Sequence, residues 1–300
     1  LDGLSVYPGT QGLPVLRKAI SEWILRRFDA LVDPETQVLP ILGSREALFS
    51  FAQVVLDGCE NDSHVVFPNP FYQIYEGATF LGGASPVFVN IDPASGLSNF
   101  HALSPDVLAK TKLMYVCSPN NPTGAVYSLE DWQKLFDLAD EYNIVIASDE
   151  CYSEIYLDGT AAPIGGLEAA SRLGRSDYNN LIVFSSLSKR SNAPGLRSGY
   201  VAGDADLIKA FLRYRTYHGS AMSTTIQMAS VAAWNDEEHV AENRRLYTEK
   251  FKAFSAILEG KLELHIPPAG FYFWADVGQS DTAFAKRLFE QAHVTLLPGS

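Results

Sequence analysis

Cysteine is scarce in this 300-residue chain: Cys59, Cys117 and Cys151, an odd number with no CxxC spacing. A disulfide framework is therefore not expected, and the three read as reduced thiols of a cytoplasmic protein, two of them packed beside strands. Positive charge is scarce too: 23 Lys and Arg face 35 Asp and Glu, a formal net charge of −12. That argues against nucleic acid as a partner, since nonspecific binding needs clustered cations to displace counterions. A small-molecule partner stays open, because a local pocket can carry the opposite sign. No apolar run approaches the roughly 20 residues of a membrane helix, so no membrane partner is expected. The N-terminus lacks a charged region followed by an apolar stretch, so no signal peptide is expected. The chain opens at Leu1 without a Met, which reads as a start short of the natural one.

Apolar residues, by contrast, are plentiful. They make up 47% of the chain against 19% charged, which fits a sizeable core and excludes disorder. Short apolar runs at His64–Phe67, Pro86–Val89, Leu113–Cys117, Ile144–Ser148, Leu181–Ser185 and Gly199–Gly203 read as strands. Several are continuous and not alternating, the pattern of strands buried on both faces of a parallel sheet. Between two of them, Ser128 and Asp131 form a capping-box-like start. Leu129, Trp132, Leu135, Phe136, Ala139 and Tyr142 then make one helical stripe. Alternating strands and helices imply an α/β layered sheet, whose ligands sit at the C-terminal ends of strands. From about Asp236 the character changes to a long charged helix over Glu237–Leu258, a short strand at Phe271–Asp276 and a helix near Thr282–Ala292. The expected division is a large domain over 1–236 and a smaller α/β domain over 237–300.

Five stretches carry candidate chemistry, four of them just after an expected strand. In Ser185–Arg197, Lys189 is flanked by Ser186 and Ser188, with Arg197 eight residues on. A neutral lysine amine can form an imine, while hydroxyls and a guanidinium suit a phosphate dianion. Taken alone, the stretch is equally an ordinary surface loop. In Ser148-Asp149-Glu150-Cys151-Tyr152, a carboxylate at a buried strand end needs a partner. A protonated pyridine nitrogen answers that need, and Tyr152 lies within reach of the same ring. A metal-binding Asp–Glu pair or a structural salt bridge are the alternatives. Cys117–Gly124 is rich in turn residues and carries Asn121, whose amide is a candidate donor to a ligand. Leu42–Ala47 offers Gly43, Ser44 and Arg45 at a helix start, which is either an anion site or a plain cap. Asn69–Tyr75 offers Tyr72, a candidate to stack on a flat ring unless it is core packing.

Together these stretches resemble fold-type I enzymes of the class I/II aminotransferase family, in order and over nearly the whole chain. The resemblance implies the aspartate aminotransferase-like fold, a mostly parallel sheet sandwiched by helices, and pyridoxal 5'-phosphate (PLP) as cofactor. It implies that Lys189 is the Schiff-base lysine and proton-transfer base, and Asp149 the partner of the pyridinium. Tyr152 and Asn121 match the donors to the ring oxygen. Ser186, Arg197, Ser44 and Arg45 match the phosphate cup, and Tyr72 matches the stacking aromatic. Tyr7 matches the tyrosine that reaches a neighbouring subunit's phosphate, which implies a homodimer with shared sites. A narrower resemblance, over 42–51, 68–78, 148–159, 186–204 and 214–223, is to bacterial N-succinyldiaminopimelate aminotransferases of lysine biosynthesis. These exchange an amino group between glutamate and N-succinyl-2-amino-6-oxopimelate.

Two departures stand out. The family's usual segment before Tyr7 is not in this sequence. The family also places an arginine for the substrate carboxylate beyond the position of Ser300, so the small domain reads as C-terminally incomplete. Arg190, Arg213, Arg215 and His218 are the sequence candidates for a distal substrate carboxylate. A different class I/II specificity, a PLP-dependent β-lyase, a non-catalytic binding module and an inactive truncation are the remaining readings.

Overall fold

The computed structural model describes residues 3, 5–58, 62–262, 264 and 266–300. Cys59 lies outside them, while Cys117 and Cys151 are buried free thiols. Seven strands form one sheet: β1 (Val38–Ile41), β2 (His64–Asn69), β3 (Ser85–Asn90), β4 (Thr111–Cys117), β5 (Val145–Asp149), β6 (Leu181–Ser186) and β7 (Gly199–Gly203). Their order is β1-β7-β6-β5-β4-β2-β3. The pairs β2–β3, β2–β4, β4–β5 and β5–β6 are parallel, and β6–β7 and β1–β7 are antiparallel.

The continuous apolar runs are buried on both faces. In β6, Val183 joins one core with Trp23, Trp132, Phe136 and Trp234, while Ile182 and Phe184 join the other with Leu48, Phe51, Phe67 and Phe211. The first core is covered by α1 (Pro14–Phe28), α5 (Leu129–Tyr142), α6 (Gly166–Arg172) and α9 (Thr224–Trp234). The second is covered by α2 (Ser44–Leu56), α3 (Ile74–Leu81) and α8 (Ala205–His218). The short helices α4 (Pro105–Lys110) and α7 (Leu187–Arg190) add Leu108 and Leu187 to the first core. The capping box on α5 forms as the spacing implied: Asp131 N donates to Ser128 Oγ at 3.2 Å and Ser128 N to Asp131 Oδ2 at 2.9 Å.

Three expectations change. Strand β1 goes unpredicted because Pro40 interrupts a four-residue run, yet a proline is tolerated on an edge strand. Helix α2 does start at Ser44, but its N-cap is Gly43 at φ +83, so Ser44 is no plain cap. The expected strand at Phe271–Asp276 is an extended segment with no strand neighbour among the described residues; one bridge, Tyr156 to Ala269, lies just before it. Its alternation instead packs Phe271 and Phe273 against α10 (Glu238–Leu258). Phe271 stacks on Tyr247 at 5.7 Å, and Phe273 meets Phe251 at 4.8 Å. The last helix, α11, covers Asp281–Ala292.

Glu150, next after β5, ties the sheet to α6. Its Oε1 accepts from Gly166 N at 2.6 Å and Ser148 Oγ at 2.8 Å. A Cβ on Gly165 would fall 2.5 Å from Oε2, so that glycine leaves room for the carboxylate. Burial pushes the Glu150 carboxyl up from 4.5 to about 7, offset only in part by those two bonds and by Arg27. A raised folded value contributes stability below the unfolded value and loses it as pH rises through the folded one. Glu150→Gln keeps an acceptor for both donors and cannot ionise. Between pH 4.5 and about 7 the wild type should therefore lose on the order of 3 kcal/mol of unfolding free energy relative to this variant. Denaturant melts of cofactor-free protein across that range measure it; parallel stability curves would mean that Glu150 does not titrate there.

Candidate active site

The register of the sheet gathers the sequence candidates at one edge. Ser186 at the end of β6 pairs with Gly199 at the start of β7, and Gly199 pairs with Ile41 at the end of β1. The chain leaving β1 thus enters Leu42-Gly43-Ser44 beside Arg197, which immediately precedes β7's approach. Cys117 at the end of β4 pairs with Asp149 at the end of β5, and Asp149 with Phe184 in β6. Tyr72 follows β2 at the same edge. The unpredicted β1 is what delivers Ser44 and Arg45 to this place.

Asp149 is 5% exposed. Tyr75 Oη donates to its Oδ2 at 2.9 Å, and Cys151 N donates to its Oδ1 at 3.3 Å. Burial pushes this carboxyl up, while the bonds from Cys151 and Tyr75 and the Lys189 charge pull it back. These neutral donors leave the buried charge without a contacting cation among the described residues. Asp149 and Glu150 do not share a site: the Asp149 carboxylate meets Tyr75 in one core, and Glu150 turns to α6 on the other face. A metal held by this pair is thus disfavoured by geometry. Tyr75 stacks on Tyr115 at 4.5 Å and 15°, and burial drives both phenols up.

Lys189 lies in α7, with Nζ 4.8 Å from the Phe271 ring centroid and 5.9 Å from that of Tyr152. Burial pushes the Tyr152 phenol up, and Tyr272 adds to the shift. At the same sheet edge stand the anion-binding candidates. Cys151 Sγ is 3.0 Å from Ser44 Oγ and 4.0 Å from Ser186 Oγ, so one thiol spans the starts of α2 and α7. Arg197 donates to Pro194 O at 2.9 Å and Leu42 O at 3.2 Å. A Cβ on Gly43 would lie 2.5 Å from Arg197 Nη2, which is why a glycine stands there. Arg45 Nε donates to Tyr72 Oη at 2.5 Å. Among the described residues neither arginine has a carboxylate partner. Asn121 is half-buried in a loop pinned by its neighbour: Asn120 Oδ1 accepts from Thr123 Oγ1 at 3.0 Å. Gly124, at φ +73, lets that loop meet the backbone of Ala269.

These residues fit PLP. A buried carboxylate with no contacting cation among the described residues suits a protonated ring nitrogen. Two unpaired guanidinium groups, two hydroxyls and the start of α2 suit a phosphate dianion. The structure brings together Lys189, Asp149, Tyr152, Tyr72, Asn121, Ser186, Ser44, Arg45 and Arg197. It leaves Tyr7 apart, fully exposed. It adds Tyr75, three residues after Tyr72 and edge-on to its ring at 5.9 Å, and Phe271, whose segment reads in sequence as a strand.

Two of the four distal-carboxylate candidates are already engaged. Arg190, 1% exposed, pairs with Glu237 at 2.7 Å, and Arg215, equally buried, with Glu46 at 2.6 Å. Arg213 is exposed, while His218 stacks on Tyr214 and bonds Ser220 Oγ at 2.9 Å.

Residues 2–300 match the family described as aminotransferase class I and II. An aminotransferase structure from Neisseria meningitidis is 54% identical, with a TM-score of 0.95 over 99% of this chain and 76% of that one. One from Helicobacter pylori is 36% identical, with a TM-score of 0.92 over 99% and 77%. An LL-diaminopimelate aminotransferase from Dehalococcoides mccartyi is 35% identical over 98% of this chain and 75% of its own length. The seven-stranded, mostly parallel sheet between helices is that of the aspartate aminotransferase-like fold. The chain belongs to the class I and II aminotransferase family, and it is a transaminase.

Proposed function

We propose that this transaminase uses PLP bound at Lys189 and moves an amino group between glutamate and N-succinyl-2-amino-6-oxopimelate. The observation that carries the cofactor reading is Asp149, buried without a contacting cation among the described residues, at the strand edge that also presents Lys189, Ser186 and Arg197. Bound PLP would supply the electron sink and carry the amino group between two half-reactions. Asp149 would hold a proton on the ring nitrogen. Ser44, Arg45, Ser186 and Arg197 would hold the phosphate, Tyr72 would cover the ring, and Tyr152 and Asn121 would donate to its oxygen. Lys189 Nζ would take a proton at the substrate Cα and return it in the reverse direction. Residues from 237 onward read as a smaller domain that contributes Phe271 to this space.

The succinylated acceptor rests on the motif resemblance. A second reading has its own support: several curated relatives more than 30% identical are named LL-diaminopimelate aminotransferases. Tyr7, fully exposed in one chain, fits a side chain that enters a neighbour's phosphate site, so we also propose a homodimer.

Purified protein titrated with PLP should gain a visible absorbance band that Lys189→Ala abolishes or shifts. Protein that takes up no PLP would sink the cofactor reading. With glutamate as donor, the succinylated oxo acid should outrun other oxo acids by about a hundredfold in kcat/KM, the discrimination expected when a polar substrate group has a matched partner. Equal or faster turnover of unsuccinylated LL-diaminopimelate with 2-oxoglutarate would favour the second reading. Light scattering should return twice the 32.9 kDa chain mass. Tyr7→Ala should weaken PLP retention without changing that mass; a monomer that retains PLP fully would refute the shared site.

A further inference from the structure

Lys189 stands in a helix of only four residues, α7, which cannot be rigid by itself. The turn that follows is held from outside by α10. Residues at every fourth position of α10 share one face. His239, Asn243, Tyr247 and Phe251 form such a row, and three of them meet the Lys189 region at successive levels. His239 Nε2 lies 2.8 Å from Ser191 Oγ, while its Nδ1 lies 2.9 Å from Asp236 Oδ2. Asn243 Nδ2 donates to Lys189 O at 3.3 Å. Tyr247 stacks on Phe271, the ring nearest Lys189 Nζ. Arg190 reinforces the junction: clasped by Trp23 and Trp234, it donates to Ala233 O at 2.7 Å and to Glu237.

A face that served packing alone would carry apolar groups at the levels of residues 239 and 243. Here those two levels are polar, and their polar atoms meet the backbone and side chain of the Lys189 turn. We propose that His239 and Asn243 are positioning residues for Lys189, setting the direction of its amine through Ser191 and the Lys189 carbonyl. This rests on the reading of Lys189 as the covalent lysine, and the test separates the two.

Cofactor-free protein is mixed with PLP, quenched with borohydride at timed intervals, and the labelled peptide is identified by mass. Amide hydrogen exchange of residues 187–192 is followed in the same samples. His239→Ala and Asn243→Ala should slow labelling of Lys189 and speed exchange in 187–192, each on the order of five- to tenfold, the size expected for one lost hydrogen bond. Exchange elsewhere in the sheet should hold, and His239→Gln, which can still reach Ser191, should recover most of the labelling rate. Unchanged labelling and exchange would overturn the proposal. So would a slowdown matched by faster exchange throughout the sheet and unrelieved by His239→Gln. Wild-type protein that labels no lysine, or one other than Lys189, would instead overturn the reading on which it rests.

Discussion

Asp149 sits at the middle of the sheet edge with 5% of its surface exposed and, among the described residues, only neutral donors against its oxygens: the Tyr75 phenol and the backbone N–H and thiol of Cys151. An ionised carboxylate there carries a desolvation cost of several kcal/mol unless a cation answers it. Everything around it is arranged about that imbalance. Tyr75 is locked in place by stacking on Tyr115, and Tyr115 is itself fixed by its bond to Leu48 O at 2.7 Å. The nearby charge of Lys189 pulls the carboxyl down without touching it. The site is therefore preorganised for a cationic ring atom before any ligand arrives, which is how electrostatic sites lower the cost of reorganisation.

The same edge resolves a conflict between global and local charge. The chain carries −12 overall, yet the exposed Arg45 and Arg197 share one sheet edge with Lys189, while the buried arginines Arg17, Arg190 and Arg215 each face a carboxylate. Glu154 takes up Arg27 and Arg244; Glu237 and Glu46 take up Arg190 and Arg215. Arginines left without a carboxylate beside a helix start are thus a selective signal, where a count of basic residues is not.

Much of this was legible in the chain. Strands buried on both faces announce themselves as unbroken apolar runs, so β2 to β7 and the residues after them were found within a few positions. What was lost depended on contacts far away in sequence. Strand β1 is four residues long and contains Pro40, and only its antiparallel pairing with β7 makes it a strand. Phe271–Asp276 alternates as a strand does, but its apolar side meets helix α10 and not another strand. Arg190 looked available because it follows Lys189; two tryptophans 211 residues apart close over it. Local pattern cannot report such closures, because each depends on where the chain returns.

Arg190, Ser191 and the Lys189 carbonyl also explain why the long helix matters to chemistry at the sheet. A lysine that forms and releases a covalent link must swing its amine while its backbone stays still. A four-residue helix offers few internal hydrogen bonds to resist that motion: Asn192 N reaches Lys189 O at a long 3.4 Å. The added donor from Asn243 and the strut through His239 come from a helix of 21 residues, whose own ladder is continuous. Stiffness is thereby borrowed from a large element by a small one. The price is a dependence of the reactive turn on residues some fifty positions away, which any shift of α10 relative to the sheet would transmit directly to the amine.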